Sequence, residues 1–128
     1  MSIPFEDLLE NAWRVREYAY VIGPTKVGCT LLSVNHRMFS GCNVEHRYRS
    51  HDVHAEVNAI TSMVAADERK LIAIAIAAQR ERFTPCGACL DWIFQFADPE
   101  TCLVLCQAIP GGPVTEYRLL DLMPFHPK

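Results

Sequence analysis

A histidine and a glutamate two residues apart, His54 and Glu56 in the run HDVHAEVNAI (51–60), precede two cysteines three residues apart, Cys86 and Cys89 in FTPCGACLDW (83–92). Imidazole and thiolate are the ligand types that zinc prefers. Cysteines at i and i+3 in the first turn of a helix bring both sulfurs to one side, within reach of a single ion. With His54 they make three protein ligands and leave one tetrahedral position open, which is how a catalytic zinc differs from a structural zinc closed by four protein ligands. Glu56 completes the set as a carboxylate that need not touch the metal and can carry protons beside it. A lone CxxC in a reduced compartment could be a redox pair, and a lone histidine is usually structural. Neither alternative calls for an HxE upstream of a PCxxC.

These side chains need elements to hold them. Residues 5–20 place Phe5, Leu8, Leu9, Ala12 and Trp13 at helical spacing, with Glu6 and Asp7 near the start and Arg14 and Arg16 later, which predicts an amphipathic helix. Residues 26–34 and 37–44 read as strands joined at Asn35-His36 into an antiparallel hairpin. Residues 54–66 read as a helix, and 71–78 (LIAIAIAA) as a strand buried on both faces, its alternating alanines admitting a close helix. Pro85 is expected to open the next helix, over 86–97. The strand over 101–108 is followed by PGGP (110–113), too short for a parallel crossover, so the last two strands should be antiparallel neighbours. The result is an α/β fold, a mixed sheet of about five strands with helices on both faces. Helix N-termini at His54 and Cys86 would aim positive dipole ends at the site and favour thiolate over thiol.

Composition narrows the function classes. The 128 residues suit one domain, 1–128, with half of them hydrophobic, 21% charged and a formal net charge of -3. That balance lacks the basic footprint of a nucleic-acid surface. No run approaches the roughly 20 apolar residues of a membrane span, and MSIPFEDLLENAW has acidic residues where a signal peptide is positive, so a cytoplasmic protein is expected. In that compartment the six cysteines are reduced. Cys29, Cys42, Cys102 and Cys106 lie in apolar segments and are assigned no chemistry.

HxE followed by PCxxC is the signature of the zinc deaminases, and the chain resembles the cytidine deaminase superfamily, specifically its small nucleoside branch, over nearly its whole length. KVGCTLLSVNHRMFSGCNVE resembles the first hairpin with its Asn-x-Glu motif, HAE the metal and proton motif, PCGAC the cysteine motif, and EYRLLDLMPF the C-terminal Leu-Pro segment. The resemblance implies a three-layer α/β/α fold and a Zn²⁺ held by His54, Cys86 and Cys89. It implies Glu56 as proton shuttle, Asn43 and Glu45 on the ribose hydroxyls, and backbone contacts from Ala55 to the pyrimidine. The partners it implies are a small-molecule nucleoside and further copies of the chain, a homo-oligomer with a tetramer favoured. Nucleic-acid-editing relatives insert a helix where this chain has PGGP. Val57 and Leu90 stand where relatives with three thiolate ligands carry arginine, consistent with a neutral His54 that leaves the zinc and its ligands uncharged. Thr25 and Pro127 stand at positions that are usually aromatic. HRYRSHD (46–52) replaces a small-residue loop, which puts Arg47 and Arg49 in reach of a substrate phosphate. The alternatives are a cytosine nucleoside antibiotic such as blasticidin S, a cytidine nucleotide, or a catalytically idle zinc-binding oligomer.

Overall fold

A computed structural model of the chain describes residues 2–127. In chain order the elements are α1 (Phe5–Arg16), β1 (Val27–Ser33), β2 (Met38–Cys42), a 3-10 turn (Arg49–His51), α2 (Ala55–Ala65), β3 (Leu71–Ala78), α3 (Gly87–Phe96), β4 (Leu103–Gln107), β5 (Val114–Arg118) and α4 (Leu119–Leu122). The strands form one sheet in the order β2-β1-β3-β4-β5. Only the β3–β4 pair is parallel; β1 runs antiparallel to β2 and to β3, and β4 to β5. The mixed five-stranded sheet and the antiparallel return after PGGP are as the sequence predicts.

The alternation in β3 divides the core. Ile74 and Ile76 face a large cluster with Ile60 and Met63 of α2 and Ile93 and Phe94 of α3, all buried. Ala73 and Ala75 face the opposite side, beneath Leu8 and Leu9 of α1 and beside Leu32 and Leu105. Small side chains there let α1 sit close, and Gly28 does the same on β1, where a Cβ would collide with the Ala12 carbonyl. Gly41 on β2 faces α2 in the same way: a Cβ would run into the backbone at Ala55 and Ala59. Asn58 on α2 accepts from the Cys42 amide at 2.9 Å and locks this approach. No described helix is long and apolar enough to cross a membrane.

Among the boundaries that differ from expectation, two have an identifiable cause. The first helix stops at Arg16 rather than reaching residue 20. Arg16 turns over the Trp13 ring, 5.4 Å from its centroid, and donates to the Lys26 carbonyl at 3.1 Å. Beyond it Tyr18 is exposed and Tyr20 leaves the helix to bridge Val44. Pro85 does not open α3 from inside its first turn. Cys86 is the N-cap, with extended backbone (φ -67, ψ 168), so Pro85 lies one residue outside the helix. That extended conformation is what turns the Cys86 sulfur away from its own helix and toward α2.

Replacing Gly41 by alanine should destabilise the protein by about 1–3 kcal/mol through overpacking, read as a lower denaturant midpoint. Gly87→Ala, which meets nothing within 4 Å, should leave stability unchanged or raise it.

Candidate active site

His54 is the N-cap of α2, Cys86 the N-cap of α3, and Cys89 stands in the first turn of α3. Neither helix receives a side-chain capping hydrogen bond. The cap side chains meet each other instead: His54 Nδ1 lies 3.2 Å from Cys89 Sγ and 3.4 Å from Cys86 Sγ. The ligand atoms of all three residues fall within 4.8 Å of one another. Tetrahedral zinc with bonds of about 2.0–2.3 Å sets such atoms about 3.5 to 3.8 Å apart, so the cluster has the size of a zinc site.

Electrostatics favour a cation here. Glu56 is 5% exposed, and its carboxyl is pushed above the usual carboxylate range by burial, an effect only partly offset by its own backbone amide and by His54. Burial, reinforced by Glu56, pushes the Cys89 thiol up as well. Desolvation and the neighbouring carboxylate thus act on Cys89 against the helix terminus, which favours the thiolate. A divalent ion supplies the positive charge that both groups lack. Of the remaining cysteines, Cys29, Cys102 and Cys106 are buried and Cys42 is half-buried, all unpaired. Burial holds Cys102 and Cys106 at about 12, as fits inert apolar fillers.

The cluster opens onto a cleft of about 200 Å³ whose lining includes Asn43, Glu45, His54, Ala55, Glu56 and Cys86. The residues singled out in the sequence therefore converge on one place, with Cys89 buried beneath it. Ala55 is the first residue of α2, where backbone N–H groups have no intrahelical acceptor. Asn43 and Glu45 have tasks that the sequence does not reveal. The Asn43 side chain accepts from the Val27 amide at 2.8 Å and donates to the Thr25 carbonyl at 3.0 Å. Glu45 Oε1 accepts from the amides of Ile22 and Gly23 at 2.7 and 2.8 Å, and Oε2 pairs with Arg49 at 3.1 Å. Those two amides, with Arg49 adding to them, hold the Glu45 carboxyl below its ordinary range. Arg49 also pairs with Asp52 at 2.9 Å, so its guanidinium is engaged by two carboxylates, while Arg47 is exposed and outside the cleft lining. Asp52, Arg80 and Phe83 line the cleft without having been anticipated. Their only advance signal is proximity in sequence to His54 and Cys86.

The family model described as the cytidine and deoxycytidylate deaminase zinc-binding region matches residues 4–105. A cytidine deaminase of Sporosarcina psychrophila is 31% identical over 121 residues, covering 93% of this chain and 88% of that protein. Among solved structures, the cytidine deaminase of Burkholderia pseudomallei superposes with a TM-score of 0.86 at 30% identity, covering 95% of this chain and 98% of that one. The cytidine deaminase of Mycobacterium tuberculosis superposes at 0.81 with 26% identity, covering 96% of each chain.

Purified protein should carry about one zinc per chain by elemental analysis. The double variant Cys86→Ala, Cys89→Ala should lose it, and full zinc in that variant would place the ion elsewhere.

Proposed function

The chain belongs to the cytidine and deoxycytidylate deaminase family and is a zinc-dependent hydrolytic deaminase, and on that premise we propose that, as a single domain, it converts cytidine or deoxycytidine to uridine or deoxyuridine and ammonia. The observation that carries the assignment of roles is Glu56: a carboxylate buried beside three convergent ligands, at the floor of an open cleft, with its proton affinity raised by desolvation. A site built only for structure would have a fourth protein ligand and no use for that carboxylate.

His54, Cys86 and Cys89 hold the zinc in this reading, and the zinc supplies Lewis acidity that makes water acidic near neutral pH. Glu56 takes one proton from the attacking water and gives it to N3 of the cytosine ring as oxygen adds at C4; it then takes the proton of the resulting C4 hydroxyl and passes it to the amino group, which leaves as ammonia as the C4–N bond breaks and C4=O forms. A carboxyl whose pKa is raised by burial suits these steps because it holds the proton more readily between taking it up and giving it back. The free N–H at the start of α2, contributed by Ala55, faces the pyrimidine. Asn43 and Glu45 bind the ribose with the lone pairs and N–H that remain after they have fixed the 22–27 segment. Because Glu45 is held ionised by the Ile22 and Gly23 amides and Arg49, it meets the hydroxyls as a charged acceptor.

A 5′-phosphate reading through Arg49 is disfavoured by the two carboxylates already on that guanidinium. The substrate panel of cytidine, deoxycytidine, CMP and blasticidin S, followed by ultraviolet absorbance, should show turnover of the two nucleosides and little of CMP. A homotetramer is the proposed assembly, supported by exposed apolar residues Tyr20 (66% exposed), Val44 (43%) and Val53 (37%), which are joined by backbone bridges and of which Val53 lines the cleft. Light scattering should find an oligomer, and a fully active monomer would refute it.

Glu56→Gln should keep the fold and the zinc while lowering turnover by at least about 10²- to 10⁴-fold, since the amide is nearly isosteric but cannot carry the proton. His54→Ala should lose zinc and activity together. An active Glu56→Gln enzyme with full zinc would remove Glu56 from the mechanism.

A further inference from the structure

The cleft walls are mostly aliphatic or polar, with Thr25, Val27, Ile76 and Ala78 among them, and among the described residues the only carbocyclic side chain in the lining is Phe83. His54 contributes the other ring, and its Nδ1 is turned toward the two sulfurs. Phe83 is not ordinary core. Its side chain is half-buried and rests against the large cluster under α2 and α3. It also borders a second open space of about 660 Å³, lined by Cys106, Ile109, Pro113 and Thr115. Phe83 thus borders both open spaces, as Arg80 does, with the catalytic cleft as one of them.

Its placement is tied to the metal cluster. Arg82, immediately before it, is a non-glycine residue with φ 44, a left-handed backbone that side chains disfavour. Such a conformation persists only where the surroundings impose it, and it sets the direction in which the next residue leaves. After Phe83 come Thr84, the buried Pro85 and the extended N-cap Cys86, so a short stiff segment connects the ring to a zinc ligand. A planar base positioned at that zinc needs an apolar face to lie against, and a ring offers more to a flat π-system than aliphatic groups do.

We infer that Phe83 is the platform on which the cytosine ring of the substrate stacks, and so a specificity-determining residue of this site; the inference rests on the deaminase reading above. The ring sets the plane of the base, while Glu56 and the start of α2 act on its edge. Its contribution is to binding the base, in substrate and product alike, more than to the chemical step.

The test compares Phe83→Leu, which keeps apolar bulk without the ring, with Phe83→Tyr, which keeps the ring. For each, zinc content, cytidine kinetics and competitive inhibition by uridine are measured. Stacking of a base on an aromatic side chain corresponds to roughly a tenfold or greater effect on affinity. Phe83→Leu should raise KM and the uridine inhibition constant together by about that factor, with full zinc and kcat within about threefold. Phe83→Tyr should stay near wild type. A leucine variant with wild-type KM and uridine inhibition, or a tyrosine variant impaired as much as leucine, would overturn the inference and leave Phe83 as packing. A zinc-loaded wild-type protein that neither turns over cytidine nor binds uridine would instead overturn the deaminase reading, and this inference with it.

Discussion

The cap side chains of α2 and α3 face each other across a gap set by two contacts, His54 Nδ1 to Cys86 Sγ at 3.4 Å and to Cys89 Sγ at 3.2 Å. A helix start normally satisfies some of its free N–H groups with a side chain of the cap residue, and forgoing that costs about 1 kcal/mol per helix. Both helices forgo it. What they gain is a common point of convergence for two positive helix ends, an imidazole and two sulfurs, with a carboxylate one residue beyond the start of α2. Zinc fits that point because it would join the two helix starts to each other in place of the missing caps, and because its charge would offset the burial that raises the proton affinity of Glu56 and Cys89.

Everything farther from the cluster can be read as the means of holding those two helix starts in register. α2 reaches its position because Gly41 lets its first turn lie against β2 and because Asn58 binds the Cys42 amide. α3 reaches its position because β3 and β4 run parallel, which requires a crossover, and the crossover begins where Ile76 and Ala78 line the cleft. Sites beyond the carboxyl ends of parallel strands are a general consequence of this topology. Here the segment that leaves β3 carries Arg80, Phe83 and Cys86 in succession past the cleft.

Local spacing made much of this legible in the sequence, and distance in the chain made the rest illegible. HxE and PCxxC encode the cluster because each motif fixes its geometry within one helical turn, and the alternation of β3 encodes the two-sided core. Charge pairs across loops carry no such periodicity. The partners of Arg49, Glu45 and Asp52, lie only four and three residues away, but the charges alone do not say that a 3-10 turn over Arg49–His51 will bring them together, leaving the guanidinium engaged rather than open to a ligand. Nor does Asn43 announce that its amide will be spent on the Val27 amide and the Thr25 carbonyl. The end of α1 is not legible either, because Tyr18 and Tyr20 are apolar side chains that face solvent, not core. Proline at 85 was misread by one residue because the constraint at Cys86 comes from its partner on another helix, and a single-helix rule does not see it.

The division between site and scaffold also governs what the metal stabilises. In small zinc modules the ion supplies the folding energy because there is little else to do so. This chain has buried clusters on both sheet faces, one with Ile60, Met63, Ile74, Ile93 and Phe94 and the other with Leu8, Leu9, Leu32 and Leu105. Ile60 and Met63 of α2 and Ile93 and Phe94 of α3 lie more than a turn beyond the uncapped ends, with Ala55 the member of this cluster at the start of α2. Loss of zinc should therefore loosen the first turns of the two helices while their packed middles stay in place. Local weakness at those turns follows from the same burial that raises the proton affinity of Glu56: a better-solvated or better-paired carboxylate would be more stable and would give up its value as a proton carrier. The hydrophobic faces of the sheet make such a site tolerable, because the stability that the site lacks is provided where no catalytic group resides.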